Sequence, residues 1–304
     1  MRPTFEWNLG RRSLELGRRT LIMGIVNVTP DSFSDGGQFL DAEKAVEHAE
    51  RLLGGGADIV DIGGESTRPG ARVQAGSDIS SCAADDSTPI ISAAEELRRI
   101  IPVIAKLKKN HPDCVISVDT YKAAVARAAV ESGADVVNDV SGFRWDPQMA
   151  RTVADLECGA VLMHMRGRPE QWRNLPPADD VLELVKRELK HWADEAMKSG
   201  IARDRLVLDP GFGFGKNFDE NYPLIAHFSE LHDLGFPLLA GTSRKLFIGR
   251  TVGHGEKVST GERLYGTLAT ETALILQGAH IIRTHDVKAS VEAARVADAV
   301  LRCQ

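Results

Sequence analysis

Carboxylate and amide side chains stand directly after several short apolar runs of this chain. Asp119 ends the run VISVD, Asn138 follows the apolar pair at 136–137, and Asp209 ends the run LVLD. A carboxylate accepts two parallel hydrogen bonds from an amino-pyrimidine edge, and an amide adds one donor and one acceptor. These side chains therefore suit a flat heterocycle that carries N–H groups. A divalent metal is the alternative for two carboxylates, and oxygen ligands without histidine favour Mg²⁺ over Zn²⁺.

Cationic side chains accompany the last two apolar runs. Arg283 and His285 alternate along the segment IIRTH, so both point to the same side of a strand. The residues SRK at 243–245 follow the preceding run. Cations fixed in this way suit a phosphate group. The nearby segment GFGFGK lacks the Walker spacing of a phosphate loop, so its glycines indicate backbone that approaches a ligand closely.

The elements that would hold these residues alternate along the chain. Eight apolar runs are too short for helices and predict strands buried on both faces, at 21–26, 59–62, 115–118, 136–137, 160–163, 206–208, 238–240 and 281–283. Amphipathic stretches predict eight helices, at 42–53, 93–109, 122–131, 147–156, 181–198, 219–234, 261–277 and 287–301. Strict alternation favours a closed (β/α)8 TIM barrel, and an open doubly wound sheet is the alternative. In a barrel, the carboxyl ends of all strands meet at one mouth, which would bring the polar residues together.

One domain is expected over residues 1–304, because no linker divides the chain. The apolar residues of 5–9 and 14–16 flank a turn, which predicts a hairpin within 1–19 that closes the bottom of the barrel. Residues 72–90 lack any period and predict an inserted surface loop.

Composition excludes several classes of partner and location. The 304 residues include 37 Lys and Arg against 43 Asp and Glu, a formal net charge of −6, with no basic block. This balance argues against nucleic acid and against an anionic membrane as partners. No apolar run is long enough to span a bilayer, and the first 19 residues lack the apolar core of a secretory signal. The four cysteines have no metal-binding spacing, which indicates reduced thiols in a cytoplasmic protein.

Eight sequence blocks follow one another in order: MGIVNVTPDSFSDGG, DIGGESTRPG, SVDT, NDVSG, LMHM, LDPGFGFGK, GTSRK and IIRTHDV. Through them the chain resembles the dihydropteroate synthase family over about residues 20–300. Their order and spacing together are far more specific than any one block. More distant pterin-binding methyltransferase barrels share the carboxylate and asparagine pattern, but they are not expected to carry TPDSFSDGG, GESTRPG and RTHDV together.

The resemblance implies a reaction and a set of site residues. Members of the family condense 6-hydroxymethyl-7,8-dihydropterin pyrophosphate with para-aminobenzoate to 7,8-dihydropteroate and release pyrophosphate. By resemblance, the pterin is bound by Asp119, Asn138, Met163, Asp209, Phe214, Gly241 and Lys245. The pyrophosphate is bound by Asn27, Thr67, Arg283 and His285. The para-aminobenzoate is bound by Phe33, Thr67, Arg68, Pro69, Lys245 and Leu246. The catalytic residues implied are Asp35, Arg68, Lys245 and Asp119.

Mg²⁺ is the cofactor that the resemblance implies, with Asn27 as its protein ligand, and a homodimer is the implied assembly. Pyrophosphate leaves readily once Mg²⁺ and cations neutralise it. Its departure places positive charge on a carbon conjugated with the dihydropterin, which a loop carboxylate such as Asp35 would stabilise. The weakly basic aniline nitrogen needs no strong general base. We therefore expect His285 to donate a hydrogen bond to the anion rather than to act as a base.

Two features depart from the family pattern. Members usually pass from GESTRPGA almost directly into the next helix, whereas this chain carries the extra segment around 72–90. Members commonly have serine after GTSRK, where this chain has Leu246. A leucine cannot add a hydroxyl contact to the aminobenzoate carboxylate. The alternative is that Leu246 points into the core and serves only packing.

Two other functions use the same residues. A pterin-dependent methyl carrier or methyltransferase would need the carboxylates but no cations for pyrophosphate. A catalytically inactive relative would act only as a binding partner. Against that second alternative stand the intact polar residues Asn27, Asp119, Asp209, Lys245, Arg283 and His285.

Overall fold

A closed barrel of parallel strands forms the body of the protein. The computed structural model describes residues 2–28, 38–66, 91–256 and 258–303. The barrel strands are β3 (Leu21–Asn27), β4 (Ile59–Gly63), β5 (Val115–Asp119), β6 (Val136–Asp139), β7 (Gly159–Met163), β8 (Leu206–Asp209), β9 (Leu239–Ala240) and β10 (Ile281–Thr284). Their order is β8-β7-β6-β5-β4-β3-β10-β9, and a parallel bridge from Leu208 to Leu238 joins the two ends. The predicted TIM barrel is confirmed, and the open-sheet alternative is wrong.

Helices follow the strands in the described part of the chain. They are α1 (Gln38–Gly54), α2 (Ala93–Asn110), α3 (Ala123–Glu131), α4 (Met149–Leu156), α5 (Val181–Lys198), α6 (Asn221–Ala226), α7 (Leu246–Val252), α8 (Leu264–Leu276) and α9 (Val287–Leu301). None of them is long and apolar enough to cross a membrane. The bounds predicted for the helices at 181–198 and 287–301 are confirmed, and most others differ by a few residues.

Two predicted helices are divided in the structure, and one helix was missed. The prediction at 219–234 is wrong as a single helix, because His227 leaves the helical region at φ −112° and ψ 20° between α6 and a 3-10 turn at Phe228–Leu234. A 3-10 turn at Gly261–Arg263 precedes α8. The missed helix, α7, has only seven residues, which is too few for a helical period to appear in the sequence.

An N-terminal hairpin closes the amino-terminal end of the barrel. Its strands β1 (Phe5–Asn8) and β2 (Ser13–Leu16) are antiparallel. Trp7 is fully buried against apolar side chains inside the barrel, and its indole N–H donates to the Arg205 carbonyl at 2.8 Å. Packing an indole there while its N–H keeps a partner makes the hairpin a stable plug. The predicted role of the hairpin is confirmed.

The polar residues lie one layer above this apolar plug. The inward-facing residues packed with Trp7 are Met23, Ile59, Val115, Val136, Val161, Val207, Leu239 and Ile281. Because side chains alternate along a strand, the next inward positions come two residues later. From β4 onward those positions are Asp61, Ser117, Asn138, Met163, Asp209, Gly241 and Arg283. Side chains that point into the barrel are therefore apolar in the layer around Trp7 and mostly polar in the next layer, two residues further along each strand.

The inserted segment around 72–90 lies outside the described residues, so its prediction as a surface loop stays a prediction. Trimming it to a short connection should leave turnover within a few-fold of the intact chain, because its composition offers little apolar area to offset the entropy of ordering. Steady-state assays on a folded, trimmed variant check this. A loss of about tenfold or more, equal to about 1.4 kcal/mol in the activation barrier, would instead show that the segment supports the reaction.

Candidate active site

Arg283 lies at the centre of the mouth, between two carboxylates. Its Nε donates to Asp61 Oδ2 at 2.7 Å, and its Nη2 donates to Asp119 Oδ2 at 2.6 Å. Asp61 is fully buried, and Arg283 is its ion-pair partner. Two of the five guanidinium N–H groups are used in these bonds. When both carboxylates are ionised, the cluster of Asp61, Asp119 and Arg283 has a net negative charge, which suits a ligand that presents N–H donors.

The orientation of Asn138 follows from the same cluster. Its Nδ2 donates to Asp61 Oδ2 at 3.0 Å, and its side chain is buried. The amide nitrogen is therefore committed to Asp61, and the amide oxygen is left as an acceptor for a ligand N–H. The second oxygen of Asp61, Oδ1, is buried and has no hydrogen-bond partner among the described residues.

Burial shifts the acidity of the carboxylates in the mouth. The pKa of Asp119 is raised by burial and by the nearby charge of Asp61, while Arg283 opposes the rise. Burial raises the pKa of Asp209 to about 6, although the Gly211 N–H and the Lys245 charge oppose it. Carboxyl groups with a raised pKa are common at functional sites. In this mouth, the N–H donors of a bound ligand would stabilise the charged form of both carboxylates.

Asp209 is joined to the glycine-rich segment that follows β8. Its Oδ1 accepts the Gly211 N–H at 2.7 Å, and its side chain is only 5% exposed. Gly211 has φ of 64°, a left-handed conformation that glycine adopts without strain, and a Cβ there would stand 1.9 Å from the His164 carbonyl oxygen. The close approach at Gly211 is thus made to the end of β7, and the approach of this backbone to a ligand stays a prediction.

Lys245 and Phe214 form one wall of the mouth. The Lys245 Nζ lies 3.8 Å from the centroid of the Phe214 ring, a cation–π contact, and Trp172 meets that ring edge-on with centroids 5.3 Å apart. Burial and the charge of Arg283 lower the pKa of Lys245 to about 7. Met163 is buried in the same cluster as Phe214. This wall combines flat apolar surface with one donor, as a ring with polar edges requires.

His285 is held as a neutral hydrogen-bond donor. Its Nδ1 lies 3.0 Å from Ser243 Oγ, and that oxygen already accepts the backbone N–H of His285 at 3.1 Å. The same oxygen also accepts the Thr284 hydroxyl at 3.4 Å, so both of its lone pairs are used. The serine hydroxyl therefore donates to Nδ1, which places the ring hydrogen on Nε2. Burial and the charge of Arg283 lower the pKa of His285 to about 3, so the ring stays neutral. This agrees with the expected role of an anion donor rather than a base.

Arg244 is not a free cation, although the sequence grouped it with its neighbours. Its Nε and Nη2 form a bidentate pair with Asp286 at 2.9 and 2.6 Å. Its backbone has a left-handed φ of 57° and is fixed at both ends, because Thr267 Oγ1 accepts its N–H and Arg263 donates to its carbonyl. A non-glycine residue keeps such a conformation only where its surroundings enforce it, and this turn sets the directions of Ser243 and Lys245.

The remaining predicted residues are placed as follows. Asn27 ends β3 and stands in register with Gly63, which stands in register with Asp119. Gly241 follows β9, and a Cβ there would meet the Cβ of Arg283 at 3.6 Å. Leu246 is 50% exposed at the first residue of α7, so the alternative that it packs into the core is wrong. The residues Phe33, Asp35, Thr67, Arg68 and Pro69 lie outside the described part of the chain.

Sequence reasoning missed Asp61, which links Asn138 to Arg283. A usable signal was present, since an aspartate in the run IVDIG interrupts a strand that is otherwise apolar. Aspartate is almost never fully buried without a partner. The length of the run was used to predict a strand, and the charge within it was overlooked.

Comparisons with known proteins agree with this geometry. Residues 23–285 match the family model described as pterin binding enzyme. The chain is 42% identical over 280 residues to the dihydropteroate synthase of Escherichia coli (strain K12), covering 92% of this chain and 91% of that one. The chain belongs to the dihydropteroate synthase family.

Solved dihydropteroate synthases have the same fold. The Xanthomonas albilineans enzyme with 4-aminobenzoic acid is 42% identical, with a TM-score of 0.85 over 98% of this chain and 99% of that chain. The same enzyme in complex with 7,8-dihydropteroate is 40% identical, with a TM-score of 0.82 over 97% and 98% of the two chains. Both substrate-side and product-side complexes of dihydropteroate synthase therefore occur on a fold that closely matches this one.

Proposed function

We propose that this protein condenses 6-hydroxymethyl-7,8-dihydropterin pyrophosphate with para-aminobenzoate, giving 7,8-dihydropteroate and pyrophosphate. The observation that carries the proposal is the mouth itself. The same mouth, above an apolar floor, brings together acceptors (Asp119, Asn138, Asp209) and donors (Lys245, Arg283, His285). A ligand that combines a pterin edge with a phosphate group needs both kinds of partner, whereas a methyl carrier needs only the first.

The carboxylates and the amide recognise the pterin. Asp209 gives one oxygen to the Gly211 N–H and keeps the other for a ligand N–H. The oxygen of Asn138 faces the site because Asp61 holds its nitrogen. Lys245 donates to an acceptor of the ring, and Phe214 packs against a ring face. This pattern of two acceptors and one donor matches the edge of an aminopyrimidinone.

Arg283 and the neutral His285 ring then bind the leaving group. Arg283 offers its unused N–H groups and His285 offers Nε2–H to the phosphate oxygens. The C–O bond breaks with its electron pair on the pyrophosphate and leaves positive charge on the methylene carbon. The amine nitrogen of para-aminobenzoate then forms a bond to that carbon. The nitrogen then releases a proton. By resemblance, Asp35 stabilises the charge on the carbon, and Arg68 with Phe33, Thr67 and Pro69 closes over the aminobenzoate.

Mg²⁺ is proposed to arrive with the pyrophosphate rather than to reside in the protein. Among the described residues, no cluster of three or more His, Cys, Asp or Glu would hold a metal. Asn27 offers one amide oxygen at the end of β3. Mg²⁺ is commonly held by one or two protein oxygens together with substrate phosphates and water, so this donor fits. When bound, the ion neutralises charge on the leaving pyrophosphate.

The decisive experiment measures pyrophosphate release with each substrate alone and with both together, and identifies the pterin product by mass. Release that depends on both substrates, with one dihydropteroate formed for each pyrophosphate, supports the proposal. Turnover of a methylated folate, or pterin binding without any release, would overturn it.

We also propose a homodimer that forms through α8 and α9. The only acidic or basic side chain within α8 is Glu271, and it is 1% exposed. The outer side of this helix carries Tyr265, which is 83% exposed, and α9 adds Val296 and Val300 at 68% and 47%. A helix without charge on its outer side is typical of a covered interface.

Val296→Glu should convert the dimer to a monomer, because it places a charge in an apolar interface. Light scattering after size-exclusion chromatography measures the mass. The matched control is Phe218→Glu, which adds the same charge at another exposed apolar residue, 41% exposed and outside these helices. A dimer that survives Val296→Glu, or that Phe218→Glu disrupts equally, argues against this interface.

Leu246→Ser should lower the KM for para-aminobenzoate and leave the KM for the pterin substrate unchanged. The side chain is half exposed beside Lys245, where a hydroxyl would add one hydrogen bond to the aminobenzoate carboxylate. One such bond is worth at most about 1 kcal/mol, or roughly fivefold. Steady-state kinetics measure both constants, with Leu246→Ala as the control that removes the leucine without adding a hydroxyl. Equal effects of the two substitutions would contradict the prediction.

A further inference from the structure

A buried lysine lies behind the pterin side of the mouth. Lys216 is 7% exposed. Its Nζ donates to His164 Nδ1 and to the Gly211 carbonyl, both at 2.9 Å, and lies 3.4 Å from the carbonyl oxygens of His164 and Phe214. These acceptors come from the segments that follow β7 and β8. One side chain thus joins the ends of two neighbouring strands.

The hydrogen bonds of Lys216 continue through His164 to α5. This imidazole is fully buried and stacks on Trp192 with ring centroids 5.1 Å apart. Because Lys216 donates to Nδ1, the ring hydrogen is on Nε2, which donates to Glu188 Oε2 at 3.0 Å. Burial and the charge of Lys216 lower the pKa of His164 to about 3, so the ring remains a neutral link. The chain Lys216–His164–Glu188 anchors the segment to α5.

The segment that Lys216 ties is built on glycines in the left-handed conformation. Gly211, Gly213 and Gly215 all have positive φ, at 64°, 76° and 67°. Three left-handed glycines within five residues are costly to order, because glycine loses more conformational entropy than any other residue. Lys216 adds a side-chain donor to the carbonyls of Gly211 and Phe214, which also accept the backbone N–H groups of Phe214 and Arg166.

Two groups of the pterin pocket depend on this segment. Gly211 N–H holds Oδ1 of Asp209 at 2.7 Å, and the carbonyl of the same glycine accepts from Lys216. Phe214 supplies the ring beneath Lys245, and its own carbonyl lies near Lys216. Movement of the segment would displace a hydrogen-bonding group and an apolar wall together.

We propose that Lys216 is a positioning residue for pterin recognition, acting through the backbone that holds Asp209 and Phe214. It touches neither substrate. Its loss should therefore weaken binding of the pterin substrate most, since Arg283 and His285 are held by other side chains, namely Asp61, Asp119 and Ser243. This inference rests on the proposed function, because it assigns the pterin to this pocket.

The test is Lys216→Met, which keeps the length and burial of the side chain and removes its donors. The control is Lys186→Met, the same change at a lysine whose ion pair with Asp233 lies on the surface. We expect KM for the pterin pyrophosphate to rise by about tenfold or more, as misplacement of a binding group produces. The kcat and the KM for para-aminobenzoate should change little. Lys186→Met should match the unsubstituted protein.

A folded Lys216→Met variant with an unchanged pterin KM, or with both KM values raised equally, would overturn the inference and leave a structural role. If Lys216→Met does not fold, Lys216→Gln takes its place, and its two KM values are compared in the same way. We then expect a smaller rise in the pterin KM, because the amide retains a donor. Failure of the proposed function is seen separately, because the unsubstituted protein and Lys186→Met would then bind or convert no pterin substrate.

Discussion

Arg283→Ala should lose both pterin-pyrophosphate binding and folding stability. A charge-assisted contact from a guanidinium to a phosphate is worth roughly 1.5–3 kcal/mol, so binding should weaken by more than about tenfold. Folding stability should fall as well, because Arg283 pairs with the carboxylates of Asp61 and Asp119. Removing one partner of a buried ion pair lowers the free energy of unfolding by about 3–5 kcal/mol.

Calorimetry with the pterin pyrophosphate and urea unfolding measure the two effects separately. Arg283→Lys should recover part of the binding, since an ammonium lacks the planar fork. Combining Arg283→Met with Asp61→Asn should recover stability but not binding, because the fully buried carboxylate is then removed together with its cation. Unaltered affinity in Arg283→Ala would refute the assignment of this residue to the phosphate.

Asp209→Asn should lose pterin recognition while it keeps most of its stability. The amide oxygen can still accept the Gly211 N–H, so the turn after β8 remains capped. The amide nitrogen, however, then faces the ligand where the second carboxylate oxygen accepted an N–H, and two donors oppose each other. The cost should be about 2–4 kcal/mol in binding, from a lost ionic bond and an unpaired buried group.

The role of Asp209 can also be tested through the pH dependence of pterin binding. Its pKa in the free protein is raised to about 6 by burial, so protonation begins within reach of ordinary buffers. A protonated carboxyl loses an acceptor, and pterin affinity should therefore fall as the pH falls through this pKa and be full above it. The asparagine variant should lack this part of the decline. If the variant loses melting temperature but keeps pterin affinity, Asp209 only caps the turn.

Much of the fold was predictable because the signals for its strands and helices lie in short stretches of the sequence. Apolar runs too short for helices, separated by amphipathic stretches, predicted the strands of the barrel and their order, and the hairpin was visible in its flanking apolar residues. Element ends were less predictable, because the strand ends depend on ladder hydrogen bonds with neighbours. The interruption at His227 and the short helix α7 leave no periodic signal of their own.

The chemical groups of the site were predictable from the sequence, but the hydrogen bonds and ion pairs between them were not. The sequence placed Asp119, Asn138, Asp209 and the cations at strand ends. It could not show that Arg283 meets Asp61 across 222 residues of chain, since only the pairing of both strands with β3 brings β10 and β4 near one another. It also could not show that Lys216, a residue of the glycine-rich segment, turns away from the mouth to hold that segment from behind.

Composition and spacing along one chain were therefore enough to predict the alternation of strands and helices, the chemical groups at the mouth and the family to which their order belongs. They were not enough to predict which groups are paired, which atoms of Asn138 and Asp209 face the ligand, and which nitrogen of His285 carries the hydrogen. Those properties depend on the register of neighbouring strands and on donors and acceptors far apart in sequence, and hydrogen bonds orient a side chain only when both partners are in place.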